Sequence, residues 1–207
     1  MFHVVNRLTC AVTLLGIAAI SRADWLIDTP VARKIPFKGM RYEFRSMLKG
    51  GLQEHRFGFG ISETIEVVAR TERLGSMFPT KATADIAFIP NGPVPGVAPG
   101  LAFGILDAAN RTAEGRRGYF GLTFREDFDG MDGTNYGDIT VGIIGDHYVK
   151  GFFGASIPFS KTFRLLAEHN GNRLAIGVDL RPVKNLSLRM IWRDRQILLG
   201  ASIGSRF

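Results

Sequence analysis

The stretch FRLLAEHNGNRLAIGVDL, residues 163–180, decides the fold. Phe163, Leu165 and Ala167, then Leu174, Ile176, Val178 and Leu180, fall on one parity. Arg164, Leu166 and Glu168, then Arg173, Ala175, Gly177 and Asp179, fall on the other. Charges occupy only the second set, and a period of two with one apolar face is the pattern of a half-buried strand. Between the two runs lies Asn170-Gly171, the pair suited to a two-residue type I′ turn, in which both central residues need φ > 0. The turn predicts a hairpin with His169 facing Asn172, Glu168 facing Arg173, Ala167 facing Leu174, Leu165 facing Ile176 and Phe163 facing Val178. A cross-strand ion pair contributes roughly 0.2–1 kcal/mol. A one-residue slip would instead turn arginines toward an apolar exterior, at about 2–4 kcal/mol each near a bilayer midplane. The apolar boundary should therefore dominate the choice of register.

The same alternation runs through the rest of the chain. Leu186, Leu188, Met190 and Trp192 oppose Ser187, Arg189, Ile191 and Arg193. Ile65, Val67 and Ala69 oppose Glu66, Val68 and Arg70, and Met40, Tyr42 and Phe44 oppose Arg41, Glu43 and Arg45. About twelve such segments appear, at 38–48, 51–60, 64–71, 81–89, 98–107, 117–126, 136–145, 150–159, 162–169, 172–181, 185–193 and 196–207, broken by Gly, Asn, Asp and Pro. Ten or fourteen strands are the alternatives. No helical period competes, so the fold class is all-β. The polar set is rich in Arg, Gly and Ser and the apolar set carries Phe, Leu, Ile and Trp. That composition predicts an antiparallel transmembrane up-and-down β-barrel over a soluble one. An even strand count puts ISET, FSKT and RPVKN on the periplasmic side, and RLGSMFPTK, DAANRTAEGRRG and GDHYVKG outside. IPNGPVPGVAPG and EDFDGMDGTNYG are long for periplasmic turns.

With 207 residues there is room for one folding unit. Arg7, the apolar run LTCAVTLLGIAAI and the small residues Ser21 and Ala23 read as a secretory signal peptide over 1–23, so the mature chain would begin at Asp24. Residues 24–37 are expected as a periplasmic lead-in and 38–207 as the outer-membrane barrel. Cleavage would remove Cys10, the sole cysteine, and with Arg7 and Arg22 two positive charges from a formal net +7. The remaining charge is modest and calls for no nucleic-acid partner.

Phe207 ends the chain in phase with Leu199, Ala201, Ile203 and Ser205. A terminal aromatic in register resembles the assembly signal that barrel-assembly machinery recognises, and outer-membrane lipid is the second expected partner. The segments PGLAFGILDAAN, GYFGLTF and LLAEHNGNRLAIGVDLRP resemble the YjbH-like outer-membrane barrels associated with exopolysaccharide production, over about residues 30–207. The resemblance implies a role in exopolysaccharide export or surface placement, with an anionic polysaccharide as partner. A small passive porin, or a structural barrel for envelope integrity, are the alternatives.

Catalysis is not expected. His55, His147 and His169 lie in HRF, HYV and HNG, and none has the His-x-Ser arrangement of lipid-cleaving barrels. No phosphate-binding loop and no zinc cluster is present in the sequence, and no cofactor is expected. Asp127, Asp129, Asp132, Asn135 and Asp138 offer oxygen ligands that Ca²⁺ would accept, but the spacing misses the EF-hand template and a plain acidic turn is the better reading. Twelve charged residues are expected to face the lumen: Arg41, Glu43, Arg45, Glu66, Arg70, Arg164, Glu168, Arg173, Asp179, Arg181, Arg189 and Arg193. They would form a salt-bridged filling or, alternatively, a basic channel for anionic solutes.

Overall fold

The computed structural model describes residues 26–206, apart from residues 50, 76–78 and 113. The expected signal peptide over 1–23, its Cys10, the start at Asp24 and the terminal Phe207 lie outside the described residues. Twelve strands follow in chain order. They are β1 (Gly39–Met47), β2 (Leu52–Gly60), β3 (Ile65–Leu74), β4 (Lys81–Asn91), β5 (Gly100–Leu106) and β6 (Arg117–Gly130). The second half is β7 (Gly133–Gly145), β8 (Val149–Pro158), β9 (Phe163–His169), β10 (Leu174–Val183), β11 (Leu186–Arg193) and β12 (Gln196–Arg206). Each strand pairs antiparallel with its sequence neighbours, and β12 closes onto β1 from Gly39↔Arg206 to Met47↔Leu198. The result is a closed, antiparallel, all-β barrel of twelve strands. The start of β1 and the finish of β12 share one end, called here the terminal end; the opposite end is the far end.

Alternation assigns the two faces. Phe57, Phe59, Ile86, Phe103, Phe120, Ile143, Phe153, Ile176, Leu188, Trp192 and Leu199 are exposed on the outer surface, whereas Arg41, Glu43, Arg45, Glu66, Glu168, Asp179 and Arg189 are buried. This distribution is the inverse of a water-soluble barrel.

The β9–β10 hairpin keeps the expected faces but not the expected partners. Glu168 stands opposite Ala175, Ala167 opposite Ile176, Leu165 opposite Val178 and Phe163 opposite Leu180. The pairing is two residues away from the one that a two-residue Asn170-Gly171 turn would impose. The cause is local: the Asn170 Oδ1 accepts the backbone N–H of Asn172 at 3.2 Å and of Arg173 at 3.0 Å, which stabilises a four-residue connection. Arg173 thus sits in the turn, half exposed, and pairs with Asp194 at 3.3 Å instead of with Glu168. A turn with two left-handed central residues occurs at Asp194 (φ 50°) and Arg195 (φ 63°), between β11 and β12.

A second correction concerns EDFDGMDGTNYG, which is a hairpin and not a long acidic loop. β6 and β7 pair from Gly118↔Gly145 to Gly130↔Gly133 around Met131 and Asp132. The third concerns residues 26–36. Expected as part of a periplasmic lead-in, they enter the barrel instead, with Leu26, Ile27, Val31, Ala32 and Ile35 each 7% exposed or less. Leu26, Ile27 and Val31 pack on Leu166, Ala175, Ile191 and Leu198 of the wall. Ala32 joins Ile89, Ala102, Tyr119, Ile144 and Phe152. The wall makes room with inward glycines: a Cβ at Gly100 would lie 2.8 Å from the Ala32 Cβ, and one at Gly60 2.6 Å from the Ile35 carbonyl oxygen.

Candidate functional site: an occupied lumen with a basic vestibule

The internal segment is held by polar groups that alternation brings onto the inner wall. The Glu168 carboxylate on β9 accepts the backbone N–H of Ile27 (2.9 Å), Asp28 (2.8 and 2.9 Å) and Thr29 (2.8 Å). Farther along, the Thr123 Oγ1 accepts the Ala32 N–H at 2.9 Å and the Glu66 carboxylate accepts the Ile35 N–H at 2.7 Å. Carbonyls are met from the other side: Arg189 donates to the Leu26 oxygen at 3.0 Å and Arg56 to the Ile27 oxygen at 3.1 Å. Five backbone amides and two carbonyls of a segment without secondary structure thereby find partners on the inner wall, as buried backbone groups require.

Asp28 is the electrostatic centre of this arrangement. Arg45 and Arg56 reach its Oδ1 at 2.9 and 2.7 Å, and Arg193 donates to its Oδ2. Burial alone would raise the Asp28 carboxyl, but the charges of Arg56, Arg193 and Arg45 together hold it well below the usual carboxylate range. Glu43 bridges Arg45 (3.0 Å) and Arg189 (3.2 Å), and Glu54 accepts from Arg56 at 2.7 Å. Asp179 holds Arg181 at 2.7 Å and Arg189 at 3.6 Å and accepts the Ser187 hydroxyl.

The remaining expected residues are placed as follows. Arg41 is buried and reaches the Ser202 hydroxyl at 3.4 Å, Arg70 approaches Glu72 at 3.6 Å and Arg164 reaches the Ser156 hydroxyl at 3.5 Å. Asp28, Glu54 and Arg56 of this network, and Arg33, which pairs with Asp138 at 2.7 Å, escaped sequence analysis. The parity of Glu54, Arg56, Gly58 and Gly60 carried the signal for two of them. Nothing periodic marks Asp28 or Arg33.

The Ca²⁺ candidates do not converge. Asp138 is buried against Arg33 (2.7 Å) and Arg125 (2.9 Å), while Asp132 accepts the Asn135 side-chain amide at 3.0 Å and the Lys161 backbone N–H at 2.8 Å. Asp129 accepts the Thr134 hydroxyl at 3.4 Å, and Asp127 faces Tyr136 across the ladder. Among the described residues no group of three or more His, Cys, Asp or Glu side chains could hold a metal ion. The histidines are dispersed too: the His55 Nδ1 meets the Tyr42 hydroxyl at 2.7 Å, His147 lies between β7 and β8, and the His169 Nδ1 accepts the Gly171 N–H at 3.3 Å.

The segment leaves unequal cavities toward the two ends. At the terminal end a cavity of about 730 Å³ is lined by Arg33, Lys34, Arg125, Lys161, Arg164, Arg181 and Lys184, together with Pro36, Asn135, Tyr136 and Thr162. No Asp or Glu is among its described lining residues. The far-end cavity, about 370 Å³, mixes signs: Asp28, Glu54, Glu72, Asp85 and Glu114 with Arg56, Arg70, Arg117, Arg173 and Arg193.

No protein-family model matches the chain, and no curated protein does. Two solved structures are similar. The KdgM porin in complex with disordered oligogalacturonate superposes with a TM-score of 0.55 at 9% identity, over 82% of this chain and 99% of that one. The KdgM porin superposes with a TM-score of 0.54 at 9% identity and the same coverage. The likeness establishes a shared fold.

Proposed function

We propose that this chain is a non-enzymatic outer-membrane barrel that admits anionic solutes, acidic oligosaccharides among them. The observation that carries this reading is the terminal-end vestibule, whose lining has seven Lys and Arg side chains and no described carboxylate. Beside that lining Asp138 meets Arg33 and Arg125, Asp179 meets Arg181 and Glu63 lies 3.9 Å from Lys34, so three described carboxylates stand near seven cationic side chains. Low-dielectric walls focus such a potential and raise the local concentration of anions. The outward Phe, Ile, Leu and Trp side chains fit a hydrocarbon surround, in which a closed barrel leaves no unpaired strand edge. One of the two similar structures is the KdgM porin in complex with disordered oligogalacturonate, an acidic saccharide, which agrees with this choice of solute class. A role in exopolysaccharide placement rests on the YjbH-like resemblance alone and would use the same vestibule.

Reconstitution into planar bilayers across a KCl gradient tests the proposal. The expected reversal potential shows Cl⁻ permeating more readily than K⁺, and Lys161→Gln with Lys184→Gln reduces that preference. Cation preference, or selectivity untouched by the double substitution, would reject it.

A further inference from the structure

Within residues 26–32, LIDTPVA, Asp28 is the single ionisable side chain, and it is set among three guanidinium groups. Glu168 holds the same turn through backbone amides, which any sequence would supply; a carboxylate is required only by the arginines. Glu43 pairs with both Arg45 and Arg189, and Glu54 with Arg56, so Asp28 is one of three carboxylates set against these guanidinium groups and the one carried by the internal segment. Its side chain is 16% exposed, and Asp28, Arg56 and Arg193 together border the far-end cavity of about 370 Å³. Without Asp28, the three guanidinium forks that converge on its two oxygens would meet at the position its carboxylate now holds. Planar guanidinium forks match the geometry of a carboxylate.

We propose that Arg45, Arg56 and Arg193 form a carboxylate-binding site that Asp28 occupies in cis, and that a carboxylate-bearing solute entering from the far end displaces Asp28 and loosens the internal segment. The inference rests on the reading of the barrel as a path for anionic solutes. The chain thereby carries its own competitor for the solute, and the lumen opens in response to the class of molecule it admits.

Thiol labelling tests this without measuring current. The full chain carrying Cys10→Ser and Thr29→Cys is refolded into vesicles, and the rate of maleimide attachment at position 29 is measured. Thr29 is 2% exposed, so labelling requires the segment to leave its seat. Trigalacturonate is expected to speed labelling, and neutral maltotriose is not. Asp28→Asn should speed it roughly tenfold or more without ligand, as loss of charge-assisted bonds to three arginines demands, whereas Asp28→Glu stays near the parent rate. Equal effects of the two saccharides would overturn the proposal, as would an Asp28→Asn barrel that folds, by its shifted migration on an unheated gel, and labels at the parent rate. If that variant does not fold, Arg193→Gln replaces it, with faster basal labelling and a weakened trigalacturonate response expected; parent-like behaviour overturns the proposal. A barrel that labels as expected but passes no ions refutes the channel reading alone, and one that conducts anions with no labelling response refutes this inference alone.

Discussion

Replacing Glu168 with Ala should loosen the internal segment while sparing the wall around it. The side chain stands on β9 between Gly154 of β8 and Ala175 of β10, so the backbone ladder does not depend on it. Its carboxylate is the acceptor for the amides of Ile27, Asp28 and Thr29. Alanine leaves those three donors without it. A buried donor without a partner costs about 1–3 kcal/mol, so three that stay dry would cost roughly 3–9 kcal/mol. Asp28 and Thr29 border the far-end cavity, which gives water access and favours the low end, near 3 kcal/mol. At 1.4 kcal/mol per tenfold, that is about a hundredfold in the population of the undocked segment. Opposing this, Leu26, Ile27 and Val31 remain packed on Leu166, Ile191 and Leu198, each burial contributing roughly 1.5–3 kcal/mol. The segment should therefore open more often without leaving the barrel altogether. Amide hydrogen exchange on the folded protein reads this directly: exchange at 27–29 rises about a hundredfold while β9 and β10 keep their protection. Unchanged exchange at 27–29, or an equal loss along β9 and β10, would refute the reasoning.

Gly60→Ala should lower the yield of folded barrel, because its Cβ would overlap the Pro36 carbonyl and stand 2.6 Å from the Ile35 oxygen; Gly118→Ala, whose nearest neighbour would be 3.9 Å away, should not. Comparing heat-modifiable gel mobility of the two variants checks this, and equal yields would count against the seat assigned to residues 35–36. Asp107→Ala should expose the 107–116 connection to protease, since that carboxylate accepts the Arg111 N–H at 2.8 Å, the Thr112 N–H and hydroxyl at 2.6 Å each, and the Thr83 hydroxyl. Burial raises the Asp107 carboxyl, but these bonds outweigh it and hold it well below the usual carboxylate range. Its contribution is present above the unfolded value of about 3.9 and is lost only as pH falls through the depressed folded value. In the parent chain, limited proteolysis with an acid protease at about pH 4 should therefore still leave the connection intact.

Strand number, closure and faces were legible because one physical rule, apolar out and polar in, acts on every residue of every strand. Absolute register was less so. Moving the β9–β10 pairing by two residues leaves Leu165, Ala167, Ile176 and Val178 outside and Glu168 and Asp179 inside, so the boundary energy that forbids a one-residue slip is silent on a two-residue one. The decision fell to the Asn170 side chain, whose contacts with two following amides compete with the type I′ turn that Asn-Gly otherwise suggests. The internal segment was hidden for a different reason: residues 26–36 have no period, and their partners come from strands far along the chain. Their imprint on the wall was nevertheless in view. Val68, Leu166 and Ile191 are apolar residues on the polar parity, and all three are buried inside the barrel. Leu166 and Ile191 pack on Leu26, Ile27 and Val31, while Val68 borders a small cavity shared with residues 28–31. An apolar side chain facing a solvated lumen would have no partner. Where alternation fails on the inner face of such a barrel, the failure marks a place where something other than water must sit, and in this chain it is the chain itself.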